Sequence, residues 1–365
     1  MVNSKTSPQR LALLRSRPFA SAALGLALCA LASAGVWHFG FKPEPEVARG
    51  VVQGAARAAT LECPLPAQAA PSPYPGMVWV AGGSFAWGAG IYPEEQGAGT
   101  AQVAGFWMDR TEVTNAQFDE FVRATGYVTT AEKPVDPKRH PGLDAKLQRA
   151  GAVVFRAPAK VDGQADMAQW WQYTPGAYWR KPGGPDTGID KRGAFPVVAV
   201  TFEDARAYAQ WKGRSLPTEA QWEWAARAGQ AQVLVDHEQP RHANTWQGIF
   251  PVVNSADDGF AGVAPVGCFE PNALGLFDMI GNVWEITRDA YSPRRHARGE
   301  PEPGDVQPAL RGGGTGARVI KGGSFLCSSD YCMRYRAGSR QPQEDDLGVS
   351  HVGFRTVLLA PGPTP

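Results

Sequence analysis

Three times this chain repeats one short pattern: a threonine, two residues, Gln or Asp, an apolar stripe, and a glycine. Thr114 is followed by Gln117, then by Phe118, Phe121 and Val122, then by Gly126. Thr201 is followed by Asp204 and Gly213, and Thr218 by Gln221 and Gly229. A threonine hydroxyl that accepts from the third amide, while the third side chain reaches back to the threonine amide, is a capping box. The trailing glycine supplies the left-handed residue that stops a helix. Each pattern therefore predicts a helix of only a few turns, and the threonines read as caps rather than catalytic hydroxyls.

The segments between are not helical. MVWVAGGSFAWG from Met77 and FWMDRTEV from Phe106 alternate and break at glycines, as strands and a hairpin do. Residues 130–195 hold no sustained period and read as long ordered loops, pinned by Trp170, Trp171 and Trp179. With 42 Gly, 31 Pro and 12 Trp, the fold is expected to be loop-rich and fixed by aromatic packing. Hydrophobic residues at 43% and charged residues at 19% allow a sizeable core in one large domain or two ordinary ones. A net charge of +1 gives no electrostatic footprint for nucleic acid.

Residues 1–60 are expected to stand outside the fold. Lys5, Arg10, Arg15 and Arg17 precede an apolar run from Pro18 to Phe41. Over 1–41 this reads as a signal-anchor or transmembrane segment, or as a secretory signal cleaved near Ala32-Ser33-Ala34. Positive charge on the leading side keeps the N-terminus cytoplasmic. The expected location is then a bacterial inner membrane with the remainder periplasmic, or secreted if the signal is cleaved. Residues 42–76, rich in Ala and Pro, read as a flexible linker, and 77–360 as the folded domain.

Five cysteines are too few for a disulfide framework. Cys63 and Cys268 are isolated in sequence and read as harmless thiols. Cys327 and Cys332 are different: they sit in RVIKGGSFLCSSDYCMRYRAGSR, before a run of Arg and Tyr. The pair reads as a disulfide, a soft-metal site or a redox-active dithiol. The spacing is wrong for a thioredoxin-like motif, and zinc would need two further ligands. Two thiolates without imidazole suit a soft monovalent ion such as Cu(I). NTWQGIFPVVNSADDGF (244–260) and DMIGNVWE (278–285) read either as calcium loops, rich in hard oxygens, or as Asx-capped turns.

Taken in order, MVWVAGGSFAWG, FWMDRTEVTNAQFDEFVRATGY, PVVAVTFEDARAYAQWKGRSLPTEAQWEWAARAG, GLFDMIGNVWEIT, GGSFLCSSDYC and HVGFR closely resemble the formylglycine-generating enzymes, the sulfatase-modifying factors. GGSFLCSSDYC carries the specific part of that resemblance. The resemblance implies an α+β, single-domain fold related to C-type lectins, with little regular secondary structure and structural Ca2+. One ion would take Asn244, the Thr245 carbonyl, Asp258 and the Phe260 carbonyl. A second would take Asp278, the Gly281 and Val283 carbonyls and Glu285, and Glu112 falls at a further position of this kind.

The activity implied is oxidation of a cysteine in Cys-x-Pro/Ala-x-Arg segments of an unfolded sulfatase to Cα-formylglycine, using O2 and an external thiol reductant. Cys327 and Cys332 would hold Cu(I). Ser324 and Tyr331 would be catalytic, and Trp284, Arg340 and His351 would contact substrate. Ser328 and Ser329 follow the first cysteine where basic or bulkier residues are common, a departure expected to alter substrate preference. Ala337 and Thr356 replace structural cysteines of eukaryotic relatives, implying a fold that does without disulfides. Two other readings stay open. One is a non-catalytic lectin-like binding module with a structural Cys327–Cys332 disulfide. The other is an iron-dependent sulfoxide synthase, disfavoured because the chain lacks the His spacing and the length.

Overall fold

The computed structural model describes residues 62–67, 72–88, 91–97, 99–140, 142–163, 166–229, 240–293 and 316–362. In chain order, strands β1 (Met77–Val80), β2 (Gly83–Ala86), β3 (Thr100–Val103) and β4 (Phe106–Asp109) precede helix α1 (Asn115–Thr125). Strands β5 (Gly151–Phe155) and β6 (Trp171–Pro175) come before helices α2 (Phe202–Trp211) and α3 (Glu219–Ala226). Strands β7 (Gly248–Ile249), β8 (Val253–Asn254), β9 (Trp284–Ala290), β10 (Ala317–Lys321), β11 (Arg340–Glu344), β12 (Val352–Gly353) and β13 (Val357–Leu358) follow.

The three caps form as their chemistry dictates. Thr114 accepts from the Gln117 amide and Gln117 returns to the Thr114 amide, and both Thr201–Asp204 and Thr218–Gln221 close the same way. Gly126, at φ 67°, ends α1 in the left-handed region. Helix α3 stops earlier than its glycine suggests, because Ala228 already turns left-handed at φ 55° ahead of Gly229. The stretch 130–195, expected as loops alone, contains the antiparallel pair β5–β6, on which Trp171 faces Phe155. Trp170, Trp171 and Trp179 are buried as expected.

Two sheets place the chemistry. The first has the order β1–β4–β13 and the second β11–β10–β9–β12, in which β12 runs parallel to β9. Strand β10 lies at the centre of the second, between β11 and β9, and ends at Lys321 directly before the cysteine loop. The largest core cluster gathers Phe118, Trp179, Tyr208, Trp284, Ile320 and Phe354 together with Cys327 and Cys332 themselves.

Two expectations are corrected here. Cys63 and Cys268 are not isolated thiols but a disulfide, with Cα atoms 5.1 Å apart across a sequence separation of 205. Arg110 donates to the Pro66 carbonyl at 2.9 Å beside it. The expected membrane-spanning helix is also corrected, and with it the membrane partner, the inner-membrane location and the periplasmic or secreted placement. Among the described residues no helix is long and apolar enough to cross a membrane. The longest, α1, has 11 residues where about 20 are needed. Residues 1–41, on which that expectation rested, lie outside the described residues.

Candidate active site

The chain turns out of β10 at Gly322 and Gly323, with φ values of 96° and 79°. The turn is close as well as left-handed: a Cβ on Gly323 would stand 2.6 Å from the Arg334 carbonyl oxygen. Only glycine fits there. Two tight turns follow, the Cys327 amide donating to the Ser324 carbonyl at 2.9 Å and the Cys332 amide to the Ser328 carbonyl at 3.0 Å. They bring Cys327 Sγ to 3.4 Å from Cys332 Sγ, both buried and both free. A disulfide needs sulfurs about 2.05 Å apart, so the structure holds a dithiol, and the structural-disulfide alternative for this pair does not describe it.

The two sulfurs are electrostatically unequal. The Cys327 thiol donates to Cys332, and that hydrogen bond, aided by the Arg334 guanidinium, holds Cys332 down at about 7. Burial and the neighbouring sulfur push Cys327 well above the usual thiol range. Sequence reasoning did not single out the residues that set this up. Arg334 is ion-paired with Glu94 and lies 3.8 Å over the Tyr92 ring. Gln341 Nε2 stands 3.9 Å from Cys332 Sγ. The Arg and Tyr run after the cysteines was the available signal, but nothing in the sequence joined it to residues 92–94.

An aromatic wall closes one side. Tyr331 lies parallel to Phe250 at 4.0 Å and edge-on to Trp170 at 6.0 Å, while Trp246 donates its amide to the Cys327 carbonyl at 2.9 Å. Trp284 is buried, and its amide donates to the His351 carbonyl at 2.9 Å. His351 packs against the Trp171 ring at 4.6 Å. Burial pushes its imidazole down to about 3, so it is neutral, and its Nδ1 has no partner. Ser324 is buried, and its hydroxyl accepts the Leu326 amide at 3.3 Å. Of the residues singled out in sequence, Cys327, Cys332 and Trp284 thus share one buried cluster, with Tyr331 packed against it.

Arg340 is placed elsewhere. It is 2% exposed and grips Glu219 at 2.9 and 3.2 Å, with a further bond to the Ser292 carbonyl at 2.6 Å. This geometry makes it a strut between β11 and α3 rather than a free contact for substrate.

The expected calcium ligands fall into two groups of unequal fit. In the first, Asn244 Oδ1 is buried with no hydrogen-bond partner, so it would be open to a cation. Asp258 lies alongside, accepting the Thr245 amide at 3.1 Å and the Phe260 amide at 3.0 Å. In the second, Glu285 is already committed to Arg355 at 2.6 and 2.7 Å and to Trp222 at 2.8 Å. Asp278 accepts the Gly267 amide at 2.6 Å and shares a carboxyl–carboxylate hydrogen bond with Glu112. Burial pushes Asp278 up to about 6 and Glu112 well above the usual carboxylate range, the neighbouring carboxylates adding to the rise against a single Arg355. Among the described residues no group of three or more His, Cys, Asp or Glu converges on a metal-sized point. Calcium here would depend on carbonyl and amide oxygens, which the first group supplies.

Comparison with known proteins agrees with this architecture. The sulfatase-modifying factor enzyme 1-like domain matches residues 63–360. A formylglycine-generating enzyme of Mycobacterium tuberculosis is 47% identical over 291 residues, 77% of this chain and 97% of that protein. One from Thermomonospora curvata is 43% identical over 298 residues, covering 77% and 92%. Among solved structures, PvdO from Pseudomonas aeruginosa superposes with a TM-score of 0.51 at 23% identity, covering 77% of this chain and 93% of that one, which bears on the fold alone.

Proposed function

This chain belongs to the formylglycine-generating, sulfatase-modifying family, and on that premise we propose that it oxidises a sulfatase cysteine to Cα-formylglycine. The substrate segment is Cys-x-Pro/Ala-x-Arg in an unfolded polypeptide, with Cu(I) as cofactor, O2 as co-substrate and an external thiol as reductant. What supports the reading is the dithiol: two free, buried sulfurs 3.4 Å apart with different proton affinities. Two soft donors without a hard one fit Cu(I), which when bound supplies one-electron chemistry toward O2 and a seat for the substrate sulfur.

The overall reaction balances as the substrate thiol plus dioxygen plus two electrons and two protons, giving the aldehyde, hydrogen sulfide and water. The electrons and protons come from the external thiol, which is oxidised to a disulfide. Before copper binds, Cys332 is the more readily ionised sulfur and Cys327 donates to it; holding Cu(I) would require both as thiolates. Arg334 balances the negative charge. In this proposal Ser324 and Tyr331 are the further catalytic side chains, and Trp284 and Trp171 belong to the buried cluster around the sulfurs that excludes bulk water, with neutral His351 packed on Trp171. Ca2+ has a structural role at Asn244, Thr245, Asp258 and Phe260.

The test is direct. The purified chain, loaded with Cu(I) under reductant, is given a Cys-x-Pro-x-Arg peptide in air, and aldehyde is trapped with a hydroxylamine probe and read by mass spectrometry. Aldehyde from the wild type, lost in Cys327→Ser and in Cys332→Ser, is expected. Folded, copper-loaded protein that yields none overturns the reading.

A further inference from the structure

Between the two cysteines stands a carboxylate whose position is fixed. Asp330 is exposed, yet both of its oxygens are held. Oδ1 accepts from the Ser328 hydroxyl, and Oδ2 accepts the Phe250 amide at 3.3 Å. Ser328 is itself completely buried, so the anchor cannot swing away. The Asp330 amide closes the turn by donating to Ser328 Oγ at 3.4 Å.

The nearby cations are committed elsewhere: Arg334 to Glu94, Arg336 to Glu95 and Arg340 to Glu219. Among the described residues none forms an ion pair with Asp330. As Asp330 precedes Cys332 by two residues, their Cα atoms lie within about 7 Å of each other. An extended peptide presenting a cysteine to this pair passes that carboxylate within a few residues of the reacting sulfur.

We propose that Asp330 is a specificity-determining residue that selects substrate segments bearing a cationic side chain close to the reacting cysteine, at positions the Cys-x-Pro/Ala-x-Arg pattern leaves open. This rests on the function proposed above and deepens it. The carboxylate needs no ordering on binding, because Ser328 and the Phe250 amide have already ordered it. Its field favours a Lys or Arg and opposes a Glu or Asp, and part of it is screened by salt because one side faces water. A rejected acidic neighbour contributes to selection as much as an accepted basic one.

The test uses the copper-loaded full chain and peptides that keep Cys, Pro and Arg fixed while the two open positions and the residue before Cys carry Lys, Gln or Glu one at a time. In the wild type kcat/KM is expected to fall from Lys to Gln to Glu, about three- to tenfold from end to end at the most sensitive position. Asp330→Asn, which keeps an acceptor for the Phe250 amide, is expected to level the series, and Asp330→Lys to reverse it. The spread is expected to shrink at high salt. A wild type that treats the three peptides alike, or an Asp330→Lys variant that keeps the wild-type ranking, overturns the proposal. A second arm measures Kd by fluorescence anisotropy with the same peptides carrying Ser in place of Cys. If no peptide is oxidised by any form, it is the proposed activity that fails, and this arm still decides: the same ranking in Kd supports the role of Asp330, and a flat one overturns it.

Discussion

Tyr331 lies flat on Phe250, with ring centroids 4.0 Å apart and planes 10° from parallel, so the loop carrying both free cysteines is pinned to the β7–β8 hairpin. Phe250 also meets Phe155, Trp170 and Trp246. Phe250→Ala is expected to cost about 3–5 kcal/mol, as large aromatic truncations in a core do. It should also free the cysteine loop, so that alkylation of Cys327 and Cys332 by iodoacetamide accelerates. Urea unfolding and alkylation kinetics read the two effects. Unchanged alkylation in a destabilised variant would show that the stack does not hold the loop.

Arg340 separates a structural role from a substrate-binding one. Its guanidinium is buried against the Glu219 carboxylate, which Lys321 also reaches at 3.5 Å, so removing Arg340 leaves that interior charge with only its more distant cation. Arg340→Ala is therefore expected to lose about 3–5 kcal/mol of stability, and Arg340→Lys to recover only part of it, since an ammonium cannot reproduce the two-pronged grip. A stable Arg340→Ala protein with only a raised KM would count against the buried placement.

The unpartnered Asn244 oxygen predicts a response to calcium. At a calcium concentration of about 100 times Kd the folded state gains about 2.7 kcal/mol, so chelation should lower Tm in the wild type. Asn244→Ala should melt at the same temperature with or without chelator. Terbium luminescence, titrated into the chelated protein, gives an independent reading of the same site.

The Cys63–Cys268 bond closes a loop spanning 205 residues. Its loss, in Cys63→Ser or Cys268→Ser, is expected to cost about 2–5 kcal/mol. The double variant should cost no more than either single one, because each already breaks the same bond. Denaturant midpoints under non-reducing conditions test this, and additive losses would refute the linkage.

His351 gives the protein a pH dependence. Burial holds its folded value at about 3, against about 6.5 when unfolded. A base whose folded value is depressed contributes stability that is whole above pH 6.5 and is lost as pH falls toward 3. For so buried a ring the loss amounts to a few kcal/mol. His351→Phe keeps the contact with Trp171 and removes the proton, so the difference between variant and wild type should shift in favour of the variant from pH 7.5 to 4.5. A difference independent of pH would mean that His351 is not buried neutral.

Local chemistry made much of this protein legible in its sequence. The caps at Thr114, Thr201 and Thr218 depend on residues three apart, and the strands at Met77 and Phe106 on simple alternation, so neighbours in the chain suffice to read them. The cysteine loop was legible for a similar reason, since Cys327 and Cys332 lie on one short turn. What escaped was long-range. Nothing near Cys63 points to Cys268, and nothing near Arg334 points to Glu94 or Tyr92. Arg340 resembles any arginine in a basic run until Glu219 arrives from α3. The hairpin β5–β6 was hidden because its strands, five residues each, are too short to establish a period among Pro and Gly.

Strand β4 has a further consequence in the order of synthesis. It is the middle strand of its sheet, with Val80 opposite Phe106 on one side and Val357 opposite Met108 on the other. A ribosome makes β1 and β4 early and the third strand only after the whole catalytic region. Until then the Phe106–Asp109 edge is unpaired, a row of open backbone groups next to the apolar Trp107 and Met108. The nascent chain therefore passes most of its elongation with an adhesive border that only its own late residues can cover.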